Sequence, residues 1–485
     1  MHSGVRLSVI GAICVSLACS AFAAEGEENE KHFTAGAATT NITPPLGVDL
    51  AGQLHNRIAT YVHDELHARC LVLSDGTIQI AIVIVDSCKM PASIVDPAKK
   101  RIEETVGIPG AQVLIAATHT HTGPCTIEGR QSKPDPEYVR FQTSRIVDAV
   151  RIAVENMVPA EIAWGTGTVA DEVFNRRWRM KPGTIPPDPF GGTTDLVKTN
   201  PSVADPNLME PAGPTDPEVA FVAVRKPGGS PIALLANYSL HYVGEEGEET
   251  HVSADYFGYF ARSIETLLKA ERQDPPFVGI LSNGTSGDIN NIDRTKEKPE
   301  QEPYTRMQQV GDKLAKEVYR VYRGLQWKPW VSLNAALETL DVAVRLPSLE
   351  EVEDAKARLA KAPAEGLTDI ADMYALDTVR LANYPAAARV VLQALRIGDV
   401  GIAAIPCEVF CETGLALKSE SVLKPTFTIE LANGYGGYLP TREQHELGGY
   451  ETWRCSASFL AVDAEEQIRA AALRLLAKVA ETEGN

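Results

Sequence analysis

The sequence is poor in positive charge and in long apolar segments. Its 46 lysines and arginines stand against 64 aspartates and glutamates, which gives a formal net charge of −18. This excess of negative charge repels the phosphates of nucleic acids and of anionic lipids. Beyond the first 23 residues, no run reaches the ~18 apolar residues that a transmembrane helix requires. We therefore expect no nucleic-acid partner and no stable membrane insertion, while the oligomeric state stays open.

Cysteine is also scarce, with eight residues in 485. Two of them fall in the first 23 residues, and the other six are Cys70, Cys88, Cys125, Cys407, Cys411 and Cys455. An even number is compatible with disulfides outside the cytoplasm, and isolated buried thiols are an open alternative. Cys407 and Cys411 have no second cysteine pair or nearby histidine, which excludes a zinc-finger pattern.

The N-terminus has the features of a secretory signal peptide. One arginine precedes an apolar stretch from Leu7 to Ala18, and Ala21-Phe22-Ala23 forms a small-x-small cleavage site. We predict a signal peptide over 1–23 and a single catalytic domain over 24–485, exported to the periplasm or the medium. Lipoprotein anchoring at Cys19 is disfavoured, because "SLAC" lacks the leucine expected three residues before the cysteine.

Three segments predict β-hairpins, and amphipathic helices lie between and after them. The hairpins are ARCLVLSDGTIQIAIVIVDS (68–87), VAFVAVRKPGGSPIALLANYSLHYVG (219–244) and VVLQALRIGDVGIAAIPCEVF (390–410). The predicted fold class is α/β, with mixed β-sheets flanked by helices. The sequence shows no internal repeat. The proline-rich stretch 179–217 predicts a long surface loop bordering the site, and 346–387 a helical excursion without chemistry.

Polar residues follow several of the apolar strands, and the clearest case is "VLIAATHTHTGP" (113–124). In extended backbone, His119 and His121 project to the same face, so both imidazoles share one space. Paired imidazoles suit a transition metal or a proton-transfer site, although a polar turn containing histidine is an alternative. His241 and Glu408 also follow apolar strands. We predict a zinc site at these C-terminal strand ends.

These residues carry a resemblance to a known family. "ATHTHTGP" resembles the Thr-His-Thr-His-Ser-Gly-Pro motif of the neutral/alkaline, non-lysosomal ceramidases, and it lies in their N-terminal catalytic domain. Further segments match that family in order over about 33–475: FTAGAATTNITPPLGVDLAGQ, VFNRR, NYSLHYVG, NGTSGDINN, IPCEVFCETG and NGYGGYLPTREQHELGGYETW. The resemblance implies a zinc-dependent amidase that cleaves an N-acyl bond.

The resemblance also implies roles for individual residues. His119, His241, Glu408 and Tyr438 would hold Zn²⁺, although "CEVF" alone is equally compatible with a helix start. The catalytic residues around the scissile amide would be His121, Arg176 and Tyr450, and the substrate channel would be lined by 283–291, with Asp288 and Asn290 as binding residues. The zinc would lower the pKa of water and polarise the amide carbonyl, while His121 and Tyr450 would offer hydrogen bonds to the oxyanion.

The sequence departs from the family at three places. Asn290 stands where the family has a substrate-contacting serine, and Cys125 replaces a glycine after the histidine motif. We also expect no C-terminal β-sandwich domain. The substrate is accordingly expected to be ceramide or a related N-acyl amine or lipid amide.

Two other interpretations of the sequence stay open. An amidohydrolase-type (β/α)₈ barrel also has His-x-His after its first strand. The second is a non-catalytic exported binding protein on the same fold.

Overall fold

A computed structural model describes residues 1–2, 4–5, 32–244, 249–297, 301–363 and 366–481. The chain divides into two compact units, Met1–Lys31 and His32–Asn485. The predicted signal peptide lies almost entirely outside the described residues, and the structural description below concerns the second unit. None of the described helices is both long enough and apolar enough to cross a bilayer.

The strands of this unit are numbered in chain order. They are β1 (Thr34–Asn41), β2 (Tyr61–Val62), β3 (His67–Ser74), β4 (Gln79–Val85), β5 (Val113–Ala117), β6 (Val158–Pro159), β7 (Glu161–Thr168), β8 (Phe174–Asn175), β9 (Arg177–Met180), β10 (Val197–Thr199), β11 (Leu208–Pro211), β12 (Glu218–Arg225), β13 (Pro231–Tyr238), β14 (His251–Val252), β15 (Val278–Asn283), β16 (Ile289–Asn290), β17 (Leu333–Ala343), β18 (Ala387–Ile397), β19 (Val400–Ile405), β20 (Glu408–Val409), β21 (Thr426–Glu430) and β22 (Tyr438–Leu439).

The α-helices of the described residues are numbered in the same way. They are α1 (Ala92–Val106), α2 (Pro136–Glu155), α3 (Asp255–Leu267), α4 (Thr305–Tyr322), α5 (Leu349–Leu359), α6 (Ile370–Leu381), α7 (Cys411–Glu420), α8 (Arg442–Leu447) and α9 (Ala464–Ala480).

The three predicted hairpins are confirmed as β3–β4, β12–β13 and β18–β19, each antiparallel. Each hairpin is followed by a helix and then by a strand parallel to the second hairpin strand, namely β5, β15 and β21. Crossovers of this kind need a connecting segment such as a helix, whereas the hairpins need only a tight turn.

The three main sheets have the same strand order, which amounts to a threefold topological repeat. The orders are β5-β4-β3-β1 with β6 added at the edge, β15-β13-β12-β7, and β21-β19-β18-β17. The sequence gives no sign of this repeat because its copies share a hydrophobic alternation and a connectivity but no residue motif. The (β/α)₈ alternative is wrong for this fold, since the sheets are separate and contain antiparallel pairs.

One face of each main sheet packs into a common central core. Ile82, Leu235 and Ile402, from the second hairpin strand of each sheet, all belong to this cluster. The alternate residues of the same strands face outward and pack under helices: α1 and α2 cover the first sheet, and α3 and α4 cover the second. Helix α9 covers the third sheet. The strand ends of all three sheets therefore converge around one region.

Helix α1 illustrates how the sequence delivers the histidine motif. Gly107 ends the helix in the left-handed conformation with φ 76°, and its N–H donates to the carbonyl of Glu103. Glycine adopts this conformation without the Cβ penalty of other residues. The chain turns back there and enters β5, which carries His119 at its end.

Two surface segments differ from the sequence-based expectation. The stretch 179–217 is not only a loop, because β10 and β11 pair with β9 in a small sheet. The stretch 346–387 forms α5 and α6 as expected, but Arg380 and Tyr384 line a cavity. All six cysteines after the N-terminal segment are buried free thiols, so the disulfide alternative is not realised.

Candidate metal centre and active site

Equivalent positions in the three sheets point into the same space. The residue three positions beyond the end of β4, β13 and β19 is Cys88, His241 and Glu408, respectively. The last residues of these strands face the outer helices, so an odd step of three turns the side chain inward. His119 follows β5 by two positions and joins them from the parallel strand. The threefold topology thus collects metal-ligating residue types without a local sequence motif.

His119 lies just past the end of its strand in a left-handed conformation, with φ 73°. Its N–H donates to the carbonyl of Ser87 at 2.9 Å, and its Nδ1 lies 2.7 Å from the carbonyl of Cys88. A carbonyl only accepts, so the proton of a neutral His119 ring sits on Nδ1. The unprotonated Nε2 then faces the interior.

His241 is arranged in the same way. Its Nδ1 lies 3.0 Å from the carbonyl of Ser286 and its Nε2 lies 2.9 Å from Nε2 of His119. Burial lowers the pKa of His241 well below its usual value, which keeps this ring neutral. Two unprotonated nitrogens at 2.9 Å repel each other unless a cation lies beside them. A proton or a metal ion is therefore required at this point.

Glu408 supplies a third donor atom. Its Oε1 accepts from the Tyr435 hydroxyl at 2.9 Å, whereas its buried Oε2 has no hydrogen-bond partner. That oxygen lies 3.5 Å from Nε2 of His119 and 3.9 Å from Nε2 of His241. Burial opposes ionisation, but the positive charge near His119 outweighs it and holds the pKa of Glu408 far below its usual range. A buried carboxylate oxygen without a partner requires a cation.

The pKa of His119 responds to the same carboxylate. Burial lowers it, but the neighbouring Cys88 and Glu408 outweigh burial and hold the pKa well above its usual value. A single proton on His119 would satisfy one nitrogen pair but not the convergence of two imidazoles and a carboxylate. Ligand atoms of His119, His241 and Glu408 all lie within 4.8 Å of one another. Two nitrogens and one oxygen form a donor set that suits Zn²⁺ and similar divalent ions.

His121 stands beside this cluster. Its Nε2 is 3.1 Å from Nε2 of His119, and its ring stacks on Tyr242 with centroids 3.6 Å apart. Its Nδ1 is buried without a hydrogen-bond partner. Burial, with the nearby His119 adding to it, lowers the pKa of His121 well below its usual value, so the ring is neutral. A neutral imidazole with a free nitrogen is able to accept a proton.

A charged network lies on the other side of Tyr438. Arg176 donates to the Tyr438 hydroxyl at 3.0 Å, to the Gly287 carbonyl at 2.7 Å and to Glu451 at 2.8 Å. The second carboxylate oxygen of Glu451 accepts from the fully buried Arg177 at 2.6 Å. Tyr438 itself lies opposite Glu408 in the parallel pair β20–β22. Burial raises the pKa of Tyr438 well above its usual value.

A second carboxylate braces the metal-ligating residues from behind. Glu430 accepts from the Ser286 hydroxyl at 2.6 Å and from the backbone N–H of Val409 at 2.7 Å. It therefore connects the loop that holds His241 with the strand that carries Glu408. Burial raises the pKa of Glu430 to about 8. Outer partners of this kind fix the orientation of metal ligands.

Two cavities meet at these residues. The first cavity has a volume of about 470 Å³ and is lined by His119 and Glu408 among others. The second cavity, of about 350 Å³, is lined by Arg176 and by the apolar Ile185 and Trp453. The cavities share a set of lining residues that includes Gln53, Leu54, His121, Tyr438 and Tyr450. A substrate that occupies both would pass directly beside the cluster.

The structure brings together seven of the nine predicted site residues: His119, His121, Arg176, His241, Glu408, Tyr438 and Tyr450. Asp288 and Asn290 are placed elsewhere, for neither is among the described residues that line the two cavities. Asp288 accepts from Asn175 at 2.6 Å and from the Cys411 N–H at 2.9 Å. The Asn290 amide donates to Asn200 at 2.7 Å. Both act as internal braces of the loop that precedes and includes β16.

Sequence reasoning missed four residues beside the cluster: Cys88, Tyr435, Glu430 and Glu451. Cys88 follows an apolar strand in the same way as His241, and that pattern was available in the sequence. Tyr435 lies three residues before Tyr438, but only the fold shows which tyrosine contacts Glu408. The contacts of Glu430 and Glu451 are long-range and leave no local signal.

The fold and site define a mixed α/β protein with a histidine–carboxylate cluster at converging strand ends. No protein-family model matches the chain, and no curated protein sequence matches it. Solved structures do match. A neutral ceramidase from Pseudomonas aeruginosa is 16% identical with a TM-score of 0.68, covering 94% of this chain and 76% of that one. A ceramidase complexed with C2 is 15% identical with a TM-score of 0.69, covering 94% and 77%.

The structural similarity spans nearly the whole chain. The ceramidase resemblance inferred from the sequence motifs is therefore confirmed at the level of the fold.

Proposed function

We propose that the chain is a zinc-dependent amide hydrolase that cleaves an N-acyl bond, in ceramide or in a related N-acyl amine. The observation that carries the proposal is the convergence of Nε2 of His119 and Nε2 of His241, 2.9 Å apart, on the unpartnered Oε2 of Glu408. The similarity to ceramidase structures supports the reaction class.

The three cluster residues would hold the metal, with the Tyr438 hydroxyl beside them. Bound there, a divalent ion would supply a Lewis acid that lowers the pKa of water and polarises a carbonyl. The chain contributes the orientation of the ligands: the carbonyls of Cys88 and Ser286 fix both imidazoles by their Nδ1 atoms. Outer hydrogen bonds of this kind commonly determine metal affinity.

The remaining residues serve the amide itself. In hydrolysis the oxygen of water bonds to the carbonyl carbon, the C–N bond breaks, and the products are a carboxylate and a protonated amine. The buried Nδ1 of His121 has no partner and is the group able to accept the proton of water and pass it to the amine. Burial raises the pKa of Tyr450 to about 12, so its phenol stays protonated and can donate to the developing oxyanion.

Arg176 has a positioning role. Its guanidinium makes three hydrogen bonds, to Glu451, Gly287 and Tyr438, which leave it fixed against the wall of the second cavity. It orients the Tyr438 hydroxyl toward the cluster and contributes positive charge near the oxyanion.

The test is hydrolysis of a fluorescent N-acyl-sphingosine and a panel of simpler N-acyl amines, with and without a chelator. Chelator-sensitive cleavage of any of them supports the proposal, and the substrate cleaved defines the class. Protein that holds stoichiometric zinc and cleaves none of them would contradict the hydrolase and favour the binding-protein alternative.

We also propose that the chain is exported, from the signal-peptide pattern of residues 1–23. N-terminal sequencing of the protein secreted from its own host checks this. We expect a mature chain that begins at residue 24, and an intact N-terminus on protein inside the cell would contradict it.

A further inference from the structure

The first cavity is lined by an unusual amount of positive charge for so acidic a chain. Lys89, Arg130 and Arg380 all line it, against the carboxylates of Glu128 and the metal-ligating Glu408. The chain as a whole carries a formal net charge of −18. A divalent ion at the cluster would add further positive charge. Such a cavity attracts an anionic ligand group.

The three cations differ in how far they are neutralised. Arg380 donates to Glu128 at 3.1 Å and to the carbonyl of Gly129 at 2.8 Å, at the outer edge of the cavity. Arg130 pairs with the fully buried Asp377 at 2.6 Å. The Arg130 side chain is only 9% exposed, yet its Nη2 has no hydrogen-bond partner.

Lys89 is the cation that remains unpaired. Within the part of the chain that the structure describes, its ammonium forms no ion pair with a carboxylate. It lies 4.4 Å from the centroid of the Tyr435 ring, and the hydroxyl of that ring donates to Glu408. The aromatic face attracts the charge but accepts none of the three strong N–H hydrogen bonds. Lys89 follows Cys88 directly, so it stands next to the inward-facing position of the first sheet.

We propose that Lys89 binds the carboxylate of an N-acyl amino acid, and that the natural substrates are N-acyl amino acids rather than neutral sphingolipid amides. This inference rests on the proposed hydrolase function and names its substrate class. The amino acid part occupies the first cavity, and the acyl chain enters the second, along Ile185 and Trp453. The amide then lies where the cavities meet, beside His121 and Tyr450.

The chemistry favours an anion on the amine side. The first cavity contains Lys89 as well as the metal ligands, whereas the second cavity presents Ile185, Pro186, Ile370 and Trp453. A sphingoid base offers hydroxyl groups and a hydrocarbon tail, and neither uses an unpaired ammonium. A carboxylate one or two bonds from the amide nitrogen does, through a charge-assisted hydrogen bond.

The test compares two substrates of equal size, N-dodecanoylglycine and its neutral counterpart N-dodecanoylglycinamide. We expect metal-loaded protein to prefer the glycine conjugate by about 10- to 100-fold in kcat/KM, the contribution of one charge-assisted hydrogen bond. The variant Lys89→Met should lose this preference through a higher KM for the anionic substrate. It should cleave the neutral substrate as the wild type does.

Lys100→Met is the matched control, because Lys100 is 78% exposed on α1 and pairs with Glu104. It removes the same charge from the chain and should keep the full preference. N-dodecanoyl-O-phosphoethanolamine distinguishes the source of the anion: stronger cleavage of this phosphate than of the glycine conjugate would overturn the carboxylate assignment. Equal cleavage of the charged and neutral amides, unchanged in Lys89→Met, would overturn the inference and leave the hydrolase standing.

A binding measurement separates this inference from a failure of the hydrolase proposal. N-(dodecylsulfonyl)glycine has no cleavable amide, and its glycinamide analogue lacks the charge. Calorimetry should show tighter binding of the acid to the wild type, with the difference lost in Lys89→Met. Equal affinity for both ligands would contradict the role of Lys89 whether or not any amide is cleaved.

Discussion

Two buried polar regions lie on either side of Tyr438, and they differ in one respect. In the Arg176–Glu451–Arg177 network, both carboxylate oxygens and both guanidinium groups have partners at 2.6–3.2 Å. In the His119–His241–Glu408 cluster, the outer atoms are equally well bonded, but the inner ones face each other or have no partner. The first region is complete within the protein. The second is built for something that the chain does not itself supply.

The comparison shows how to separate structural from functional polar clusters. Buried charges in both regions carry a large desolvation cost, which must be offset by partners. Where the chain supplies all the partners, the cluster stabilises the arrangement of elements. Where it leaves inner donor atoms free, the missing partner is a ligand. Substitutions in the two regions should therefore have different consequences.

The largest effect is expected from His241→Ala, which removes a donor atom from the cluster. We expect loss of all chelator-sensitive hydrolysis of whichever N-acyl amine the wild type cleaves, because two remaining ligands hold a metal weakly. His32→Ala, at an exposed position before β1, is the control and should keep full activity. Undiminished turnover in His241→Ala would remove the cluster from the mechanism.

The next effect concerns the complete network and should appear in stability. Glu451→Ala leaves Arg176 and Arg177 buried without their shared carboxylate, a change that typically costs about 3–5 kcal/mol of unfolding free energy. Denaturant unfolding of the apoprotein measures it. Glu466→Ala, which breaks only the exposed pair with Arg442, should leave the unfolding midpoint nearly unchanged. If both variants unfold at the same denaturant concentration, the network is not the structural brace described above.

A smaller effect is expected from Tyr450→Phe, which removes a hydroxyl beside the junction of the cavities. The variant should bind metal normally but lose roughly 10²-fold in kcat, the usual cost of one oxyanion donor. Steady-state kinetics together with metal analysis check both parts. Unchanged kcat would assign Tyr450 to substrate packing alone.

The smallest effect is expected from Tyr435→Phe, which frees Oε1 of Glu408 from its only printed side-chain partner. Removal of such an outer hydrogen bond lowers metal affinity by about 10- to 100-fold. Competition with a chelator of known affinity measures the change. Tyr319→Phe, on helix α4, is the control and should retain wild-type affinity.

The sequence predicted the elements well because they depend on local patterns. The alternation of apolar residues gave the three hairpins, and the strand ends gave His119, His241 and Glu408. The reason offered for His119 and His121 was only partly correct. They were expected on one face of extended backbone, but His119 adopts φ 73° beyond the strand, and the two rings meet edge to face at 4.6 Å.

Other features depend on contacts between distant parts of the chain. The threefold arrangement of the sheets, the bridge of Glu430 between two ligand segments and the pairing of Glu451 with Arg176 involve residues far apart in sequence. The motif resemblance placed Asp288 and Asn290 in the substrate channel. The structure instead shows their side chains bonded to neighbouring loops, because the segment turns them away from the cavities.

The central claim is that the inner atoms of His119, His241 and Glu408 bind one metal ion. Titration of the metal-stripped protein with Zn²⁺ in a calorimeter tests it most directly. The account predicts one tight site per chain in the wild type, a higher melting temperature for the loaded protein, and no such site in His241→Ala. A wild-type protein that binds no zinc, or a variant that binds it as tightly as the wild type, would contradict the account.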